Sequence, residues 1–244
     1  MRTSGNTVLI TGGATGIGLA LARIMVERGN QVIVCGRRRE ALVTARSKVP
    51  GLQVRVCDVS KPRSRLALLD WILTRFKSLN ILVNNAGIQR RVDFRKGARD
   101  LPHADGELAT NLGAPIHLTA LLIPHLRRRR EAAIVNISSG LGFTPLAAVP
   151  VYSATKAAIH SLCLSIRHQL RDTPIRVFEV APPIVTTELA GRRRRPEETE
   201  FAMSPEDVAK SILDALERDD YEVALGAAAN LHRQRDALFG VIND

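Results

Sequence analysis

At 244 residues with 45% hydrophobic side chains, the chain has the size of one large α/β domain spanning residues 1–244, able to bury a sizeable core. No apolar run approaches the roughly 20 residues of a membrane helix, the apolar run in MRTSGNTVLITGG is shorter than a signal peptide is expected to have, and three scattered cysteines (Cys35, Cys57, Cys163) suggest buried thiols rather than a disulfide framework or a zinc site. A soluble cytoplasmic protein with no membrane partner is expected, and although its formal charge is +11, the arginine runs at 37–39, 127–130 and 192–195 lack interleaved aromatics, so solvated helix ends and loops are expected rather than a nucleic-acid site.

The first element is a short apolar strand, Val8-Leu9-Ile10, running into Thr11-Gly12-Gly13-Ala14-Thr15-Gly16-Ile17-Gly18 and then a helical pattern. Glycines let the backbone turn tightly and approach a phosphate, and the free N–H groups of a new helix attract negative charge, so Gly12, Thr15, Gly16, Ile17 and Gly18 are candidate dinucleotide contacts. The second strand, Gln31 to Cys35, ends in Gly36-Arg37-Arg38, where an NAD site usually places an acid for the ribose hydroxyls. Arg37 and Arg38 suit a ribose 2′-phosphate instead, because guanidinium binds it bidentately. NADP(H) is therefore the expected cofactor, with NAD(H) as the alternative if the two arginines only start a solvated helix.

A third strand, Leu52 to Val56, leads to Asp58-Val59, a pair placed to face an adenine, to cap the next helix, or both. After a helix around Leu66 to Phe76 comes a fourth strand, Ile81 to Val83, and then Asn84-Asn85-Ala86-Gly87. Asn84, Ala86 and Gly87 suit a crevice holding a flat ring or ribose, and equally suit a turn. A long helix is predicted from about Asp105 to Arg130, carrying Asn111 and interrupted by Pro115 and Pro124. Pro115 lacks the N–H that would bond to the Asn111 carbonyl, which frees that acceptor for a water.

The fifth strand, around Ile134 to Ile137, gives way to Ser138, Ser139 and Gly140, and a helix opens near Val151. Tyr152 and Lys156 lie four residues apart, on one helix face. A phenol ionises near pH 10, at about 1.4 kcal/mol per unit of depression. One cation at about 4 Å supplies on the order of 4 kcal/mol at an effective dielectric near 20, before desolvation. A sixth strand, Ile175 to Val180, ends in Ala181-Pro182-Pro183-Ile184-Val185-Thr186-Thr187, which starts a long loop at about 183–203 in the place of a lid. Ser204 and Pro205 then read as the cap and first residue of a helix to Glu217, followed by a strand at Tyr221 to Leu225.

Assembled, these residues resemble the short-chain dehydrogenase/reductase family. The matching motifs are T-G-G-A-T-G-I-G at 11–18, N-N-A-G at 84–87, Asn111, the Ser139 region and Y-S-A-T-K at 152–156, over about residues 6–225. The resemblance implies a Rossmann-type, doubly wound α/β three-layer sandwich with seven mostly parallel strands. It also implies hydride transfer between nicotinamide and a small carbonyl or alcohol substrate, without a metal. Asn111, Ser139, Tyr152 and Lys156 map onto the family's catalytic residues. Tyr152 would exchange the proton, Ser139 would bind the substrate oxygen, Lys156 would tune the phenol and hold the ribose, and Asn111 would hold a water. Pro182, Val185 and Thr187 fall on the segment the family places near nicotinamide and diphosphate. A homodimer or homotetramer is implied as well. The family commonly has Pro-Gly where this chain has Pro182-Pro183, a variant similar to bacterial oxidoreductases of the DltE type. A second reading is the same fold used as a cofactor-binding regulatory or interaction protein.

Overall fold

The computed structural model describes residues 1–187, 189 and 202–243. Seven strands form one sheet: β1 (Thr7–Thr11), β2 (Gln31–Gly36), β3 (Gln53–Val56), β4 (Leu79–Asn84), β5 (Ala132–Ile137), β6 (Ile175–Ala181) and β7 (Glu222–Ala224), in the order β3-β2-β1-β4-β5-β6-β7. Every pairing between them is parallel, which sharpens the expectation of a mostly parallel sheet. The connecting helices are α1 (Gly16–Glu27), α2 (Arg39–Lys48), α3 (Pro62–Arg75), α4 (Leu101–Glu107), α5 (Ala114–Leu126), α6 (Pro150–Gln169) and α7 (Pro205–Arg218), followed by α8 (Ala227–Gln234) and α9 (Phe239–Asn243).

Side chains alternate across the pleat, and the core divides accordingly into two layers. Val8, Ile10, Val32, Val34, Ile81, Val83, Val135 and Val180 face α1 and α7 through residues such as Leu21, Met25, Ile212 and Leu216. Leu9, Ile33, Leu82, Ile134 and Val177 face the other way, onto Leu68 and Ile72 of α3, Leu118 and Leu122 of α5 and Ile166 of α6. On that second face the strand register sets Asn84 beside Asn136, Asn136 beside Glu179 and Glu179 beside Glu222. A polar row thus crosses β4, β5, β6 and β7. The Asn84 amide donates to Asn136 Oδ1 (2.9 Å) and Thr119 Oγ1 (3.3 Å), and Asn136 Nδ2 donates to Cys163 Sγ (3.2 Å).

The expected long helix from Asp105 to Arg130 is instead α4, a π-helical stretch Leu108–Gly113 and α5. The Ala114 N–H reaches the carbonyl of Ala109, five residues back. Pro115 has no N–H to offer, so the ladder widens there rather than breaking. Pro124 is accommodated inside α5. Cys35, Cys57 and Cys163 are free and buried, as the composition suggested. No described helix is long and apolar enough to cross a membrane.

Candidate active site

Strand order reverses between β1 and β4. A doubly wound sheet opens its crevice at such a point, at the carboxyl ends of the strands. The motifs singled out in the sequence all lie at that edge: the glycine loop after β1, Arg37 and Arg38 after β2, Asp58 after β3, Asn84 to Gly87 at the end of β4, Ser138 and Ser139 after β5, and Pro182 after β6.

The glycine loop is held close to the β4 turn. Gly12 has φ +65°, and a Cβ on it would lie 2.8 Å from Ala86 Cα, so no side chain fits. Thr11 Oγ1 accepts from the N–H groups of Asn85 and Ala86 (3.0 Å each), and Asn85 Nδ2 returns bonds to the carbonyls of Thr11 (2.9 Å) and Gly12 (3.2 Å). Asn85 and Thr11 are thus the fasteners of the two loops, a role that sequence reading missed because neither residue is itself a plausible ligand. Thr15 occupies the N-cap of α1 with extended backbone and makes no side-chain cap bond. The first turn of that twelve-residue helix therefore keeps its N–H groups for an anion. Arg38 Nη2 leans across to Thr15 Oγ1 at 3.5 Å. Thr187 lies against Gly16, its Cγ2 3.0 Å from where a Cβ would stand. These residues fit a phosphorylated dinucleotide.

Other candidates are placed differently. Asp58 Oδ1 accepts from the N–H (3.0 Å) and hydroxyl (2.7 Å) of Ser60, a local turn ahead of α3, whose N-cap is Lys61. The Val59 side chain is buried in the core and its carbonyl accepts from Arg65 (2.6 Å). Asn84 turns its amide inward, along the polar row. Pro182 accepts from Gly140 N–H through its carbonyl (3.1 Å). Val185 is buried and bridged to Met203: Thr186 N–H donates to the Met203 carbonyl (3.1 Å) and Met203 N–H to the Ile184 carbonyl (3.0 Å). The two ends of the expected lid are thereby joined, while 188 and 190–201, including Arg192 to Arg195, lie outside the described residues.

Tyr152 and Lys156 share the inner face of α6 and are each 5% exposed. Lys156 Nζ donates to the Ile137 carbonyl (2.7 Å) and stands 5.5 Å from the Tyr152 ring centroid. Burial pushes the Lys156 ammonium down to about 8, partly offset by the nearby Glu179 carboxylate. Ser139 Oγ accepts from Leu141 N–H (3.2 Å), which leaves its hydroxyl hydrogen to donate elsewhere, whereas the Ser138 oxygen is buried without a partner among the described residues. Phe143 is buried between the imidazoles of His160 and His232.

Asn111 sits in the π-helical stretch and clamps the loop after β4. Its Oδ1 accepts from Ile88 N–H (2.9 Å), and its Nδ2 donates to the Ile88 carbonyl (2.8 Å) and Thr155 Oγ1 (3.3 Å). Both amide hydrogens are committed. Glu107 continues the clamp by accepting from Arg90 N–H (2.6 Å), and its burial raises its carboxyl above the ordinary range. Glu107 carried no signal in the sequence, since its partner comes from a loop that only the fold brings near.

Comparisons with known proteins agree with this fold. The family model for short chain dehydrogenases matches residues 6–198. The chain is 47% identical over 224 residues to an uncharacterized oxidoreductase, DltE, of Bacillus subtilis, covering 91% of this chain and 89% of that protein. It is 30% identical over 217 residues to the NADP-dependent 3-hydroxy acid dehydrogenase YdfG of Salmonella typhi, covering 84% and 86%. Among solved structures, a short chain dehydrogenase from Burkholderia cenocepacia in complex with NADP superimposes with a TM-score of 0.85 at 25% identity, covering 99% of each chain. The loops at the switch point, the Tyr152–Lys156 face and these relatives have one reading: the chain belongs to the short-chain dehydrogenase/reductase family of NAD(P)-dependent oxidoreductases, and within it is similar to DltE.

Proposed function

We propose that the protein is an NADP(H)-dependent oxidoreductase that interconverts a small carbonyl compound and its alcohol, with Tyr152 as the general acid and base. The observation that carries this reading is the buried Tyr152–Lys156 face of α6, set at the same sheet edge as a glycine loop onto which Arg38 leans. The cofactor supplies or accepts the hydride at its nicotinamide ring. Gly12, Thr15, Gly16, Ile17 and Gly18 receive the pyrophosphate at the start of α1, and Arg37 and Arg38 select the 2′-phosphate. In reduction, Tyr152 donates its proton to the substrate oxygen while Ser139 O–H holds that oxygen by a hydrogen bond. Lys156, desolvated beneath the ring, stabilises the phenolate that remains. Asn111 acts by fixing Ile88 with its side chain, which leaves its backbone carbonyl, in the widened helix, as the group to hold a relay water.

Assembly as a homodimer or homotetramer belongs to the same proposal, supported by exposed Ile116 and Leu121 on α5 and Leu164 on α6, and is read by sedimentation. So does a cytoplasmic location, which suits three free thiols and is read by cell fractionation. The substrate screen begins with 3-hydroxy acids and their 3-oxo counterparts, because the NADP-dependent YdfG is named for that class.

The test is a titration with NADPH and NADH followed by assay of nicotinamide absorbance on a carbonyl panel. Tyr152→Phe is expected to bind NADPH as the parent does and to lose about 10²–10⁴-fold in turnover, the range for positioned acid–base catalysis. Turnover that survives in Tyr152→Phe would remove the assignment.

A further inference from the structure

One turn beyond Lys156 on the same helix face lies His160, and beneath it is a group of side chains that the oxidoreductase chemistry leaves unused. His160 Nδ1 stands 2.8 Å from Glu179 Oε2 on β6, and Glu222 is the first residue of β7. Glu179 and Glu222 are register partners, so parallel pairing puts two carboxylates side by side on the face that α6 covers. Like charges directly across a sheet are destabilising. Here one of them, Glu179, is 0% exposed, and its Oε1 is buried with no hydrogen-bond partner among the described residues. A buried carboxylate oxygen left in this way carries a full desolvation cost unless a cation meets it.

The surrounding groups do not supply that cation in full. Arg167 reaches Glu222 only at 3.9 Å, and its Nε and Nη2 are committed to the carbonyls of Val177 (3.0 Å) and Tyr221 (2.7 Å). The Lys156 ammonium feels the Glu179 charge, but the hydrogen bond it donates goes to the Ile137 carbonyl and leaves Glu179 Oε1 without a partner among the described residues. One ligand atom from each of His160, Glu179 and Glu222 lies within 4.8 Å of the others. On α8, His232 Nε2 is 3.1 Å from Glu222 Oε1. The Phe143 ring packs edge-on against both imidazoles, 5.0 Å from His160 and 4.4 Å from His232, giving the group an apolar shell.

We propose that His160, Glu179 and Glu222 form a binding site for one divalent transition-metal ion, zinc foremost, with His232 at hand as a fourth ligand or as the group that orients Glu222. Nitrogen and oxygen donors without thiolate suit zinc and its first-row neighbours. Ligand atoms at about 2.0–2.2 Å from a tetrahedral ion stand about 3.3–3.6 Å from one another, so side-chain rotation of about an ångström closes the group. The ion ties α6, β6 and β7 together, and α8 through His232, at the end of the sheet where β7 forms an edge. No ligand spacing in the sequence announces the site, because its donors come from separate elements.

The test uses untagged full-length protein, stripped with chelator and titrated with cobalt(II) while visible d–d absorption is followed, with bound zinc counted in parallel by elemental analysis. The expected result is one equivalent of either metal, tetrahedral-type cobalt bands, and a rise of a few degrees in Tm with excess zinc. His160→Gln and Glu222→Gln should each lose the bands and the Tm rise. Glu222 is only partly buried, its side chain 26% exposed, so Glu222→Gln keeps the test sound if a change at Glu179 or His160 impairs folding. Equal cobalt spectra and equal zinc counts in the parent and both variants, or no stoichiometric binding by the parent, would overturn the proposal and leave the group as two histidine–carboxylate pairs.

Discussion

Lys156 holds its proton less tightly than a free lysine because burial disfavours the charged form, which brings it from 10.5 to about 8. The unfolded chain therefore binds more protons between those two values, and the linkage has one sign: folding stability rises with pH across that window and carries the whole penalty near neutrality. At about 1.4 kcal/mol per unit, the penalty is on the order of 3 kcal/mol. Measured by urea unfolding of the apo protein, the parent should gain stability by about that amount relative to Lys156→Met as pH rises from neutrality to beyond 10.5. A difference that stays constant with pH would show that the ammonium is not desolvated. The Tyr152–Lys156 pair was legible in the sequence because a four-residue spacing fixes a shared helix face whatever the tertiary fold. The partners of Asn111 and Glu107 were not, since Ile88 and Arg90 reach them only after the loop beyond β4 has folded back.

Among the elements, the widened turn at Leu108–Gly113 gives Asn111 its orientation, and Asn111 holds the N–H and carbonyl of Ile88 at once. Asn111→Ala leaves two backbone groups without that partner, at about 1–3 kcal/mol each. With about 2–4 °C per kcal/mol for a protein of this size, Tm should fall by roughly 5–20 °C, read by thermal denaturation of the apo protein. A Tm unchanged in Asn111→Ala would mean that the loop is held by other contacts. Elements with strong local signals were legible: the glycine turn before α1 and the Ser204-Pro205 start of α7, where Ser204 Oγ accepts from Asp207 N–H (3.0 Å). The π-helical stretch was half legible. Pro115 marks where a regular ladder must fail, but whether it kinks, ends or widens depends on what packs against it.

Across the whole molecule, the winding of the chain away from β1 in two directions brings loops more than 150 residues apart in sequence to one edge. The net charge of +11 draws a polyanion to the molecule as a whole, and at that edge Arg38 Nη2 lies 3.5 Å from Thr15 Oγ1 of the glycine loop. Arg38→Glu should weaken NADPH binding by about 10–100-fold, the worth of a charge-assisted bond of about 1.5–3 kcal/mol, while NADH binding changes little. The salt dependence of NADPH affinity should flatten at the same time. Parallel loss of both cofactors, measured by fluorescence titration, would mean that Arg38 supports the loop rather than selecting the phosphate. The sheet and its doubly wound class were legible from the order of motifs. The side-by-side setting of Glu179 and Glu222 was not, because strand register is a property of the assembled sheet.

The polar row from Asn84 through Asn136 and Glu179 to Glu222 has a consequence for how the strands find their places. A slip of one residue between any two of them reverses every side chain on the slipped strand and drops an amide or a carboxylate among Val8, Val34 and Phe178 on the opposite, oily face. Misaligned sheets are thus penalised most heavily at the strands that carry the chemistry, and the molecule rejects its own near-misses during assembly.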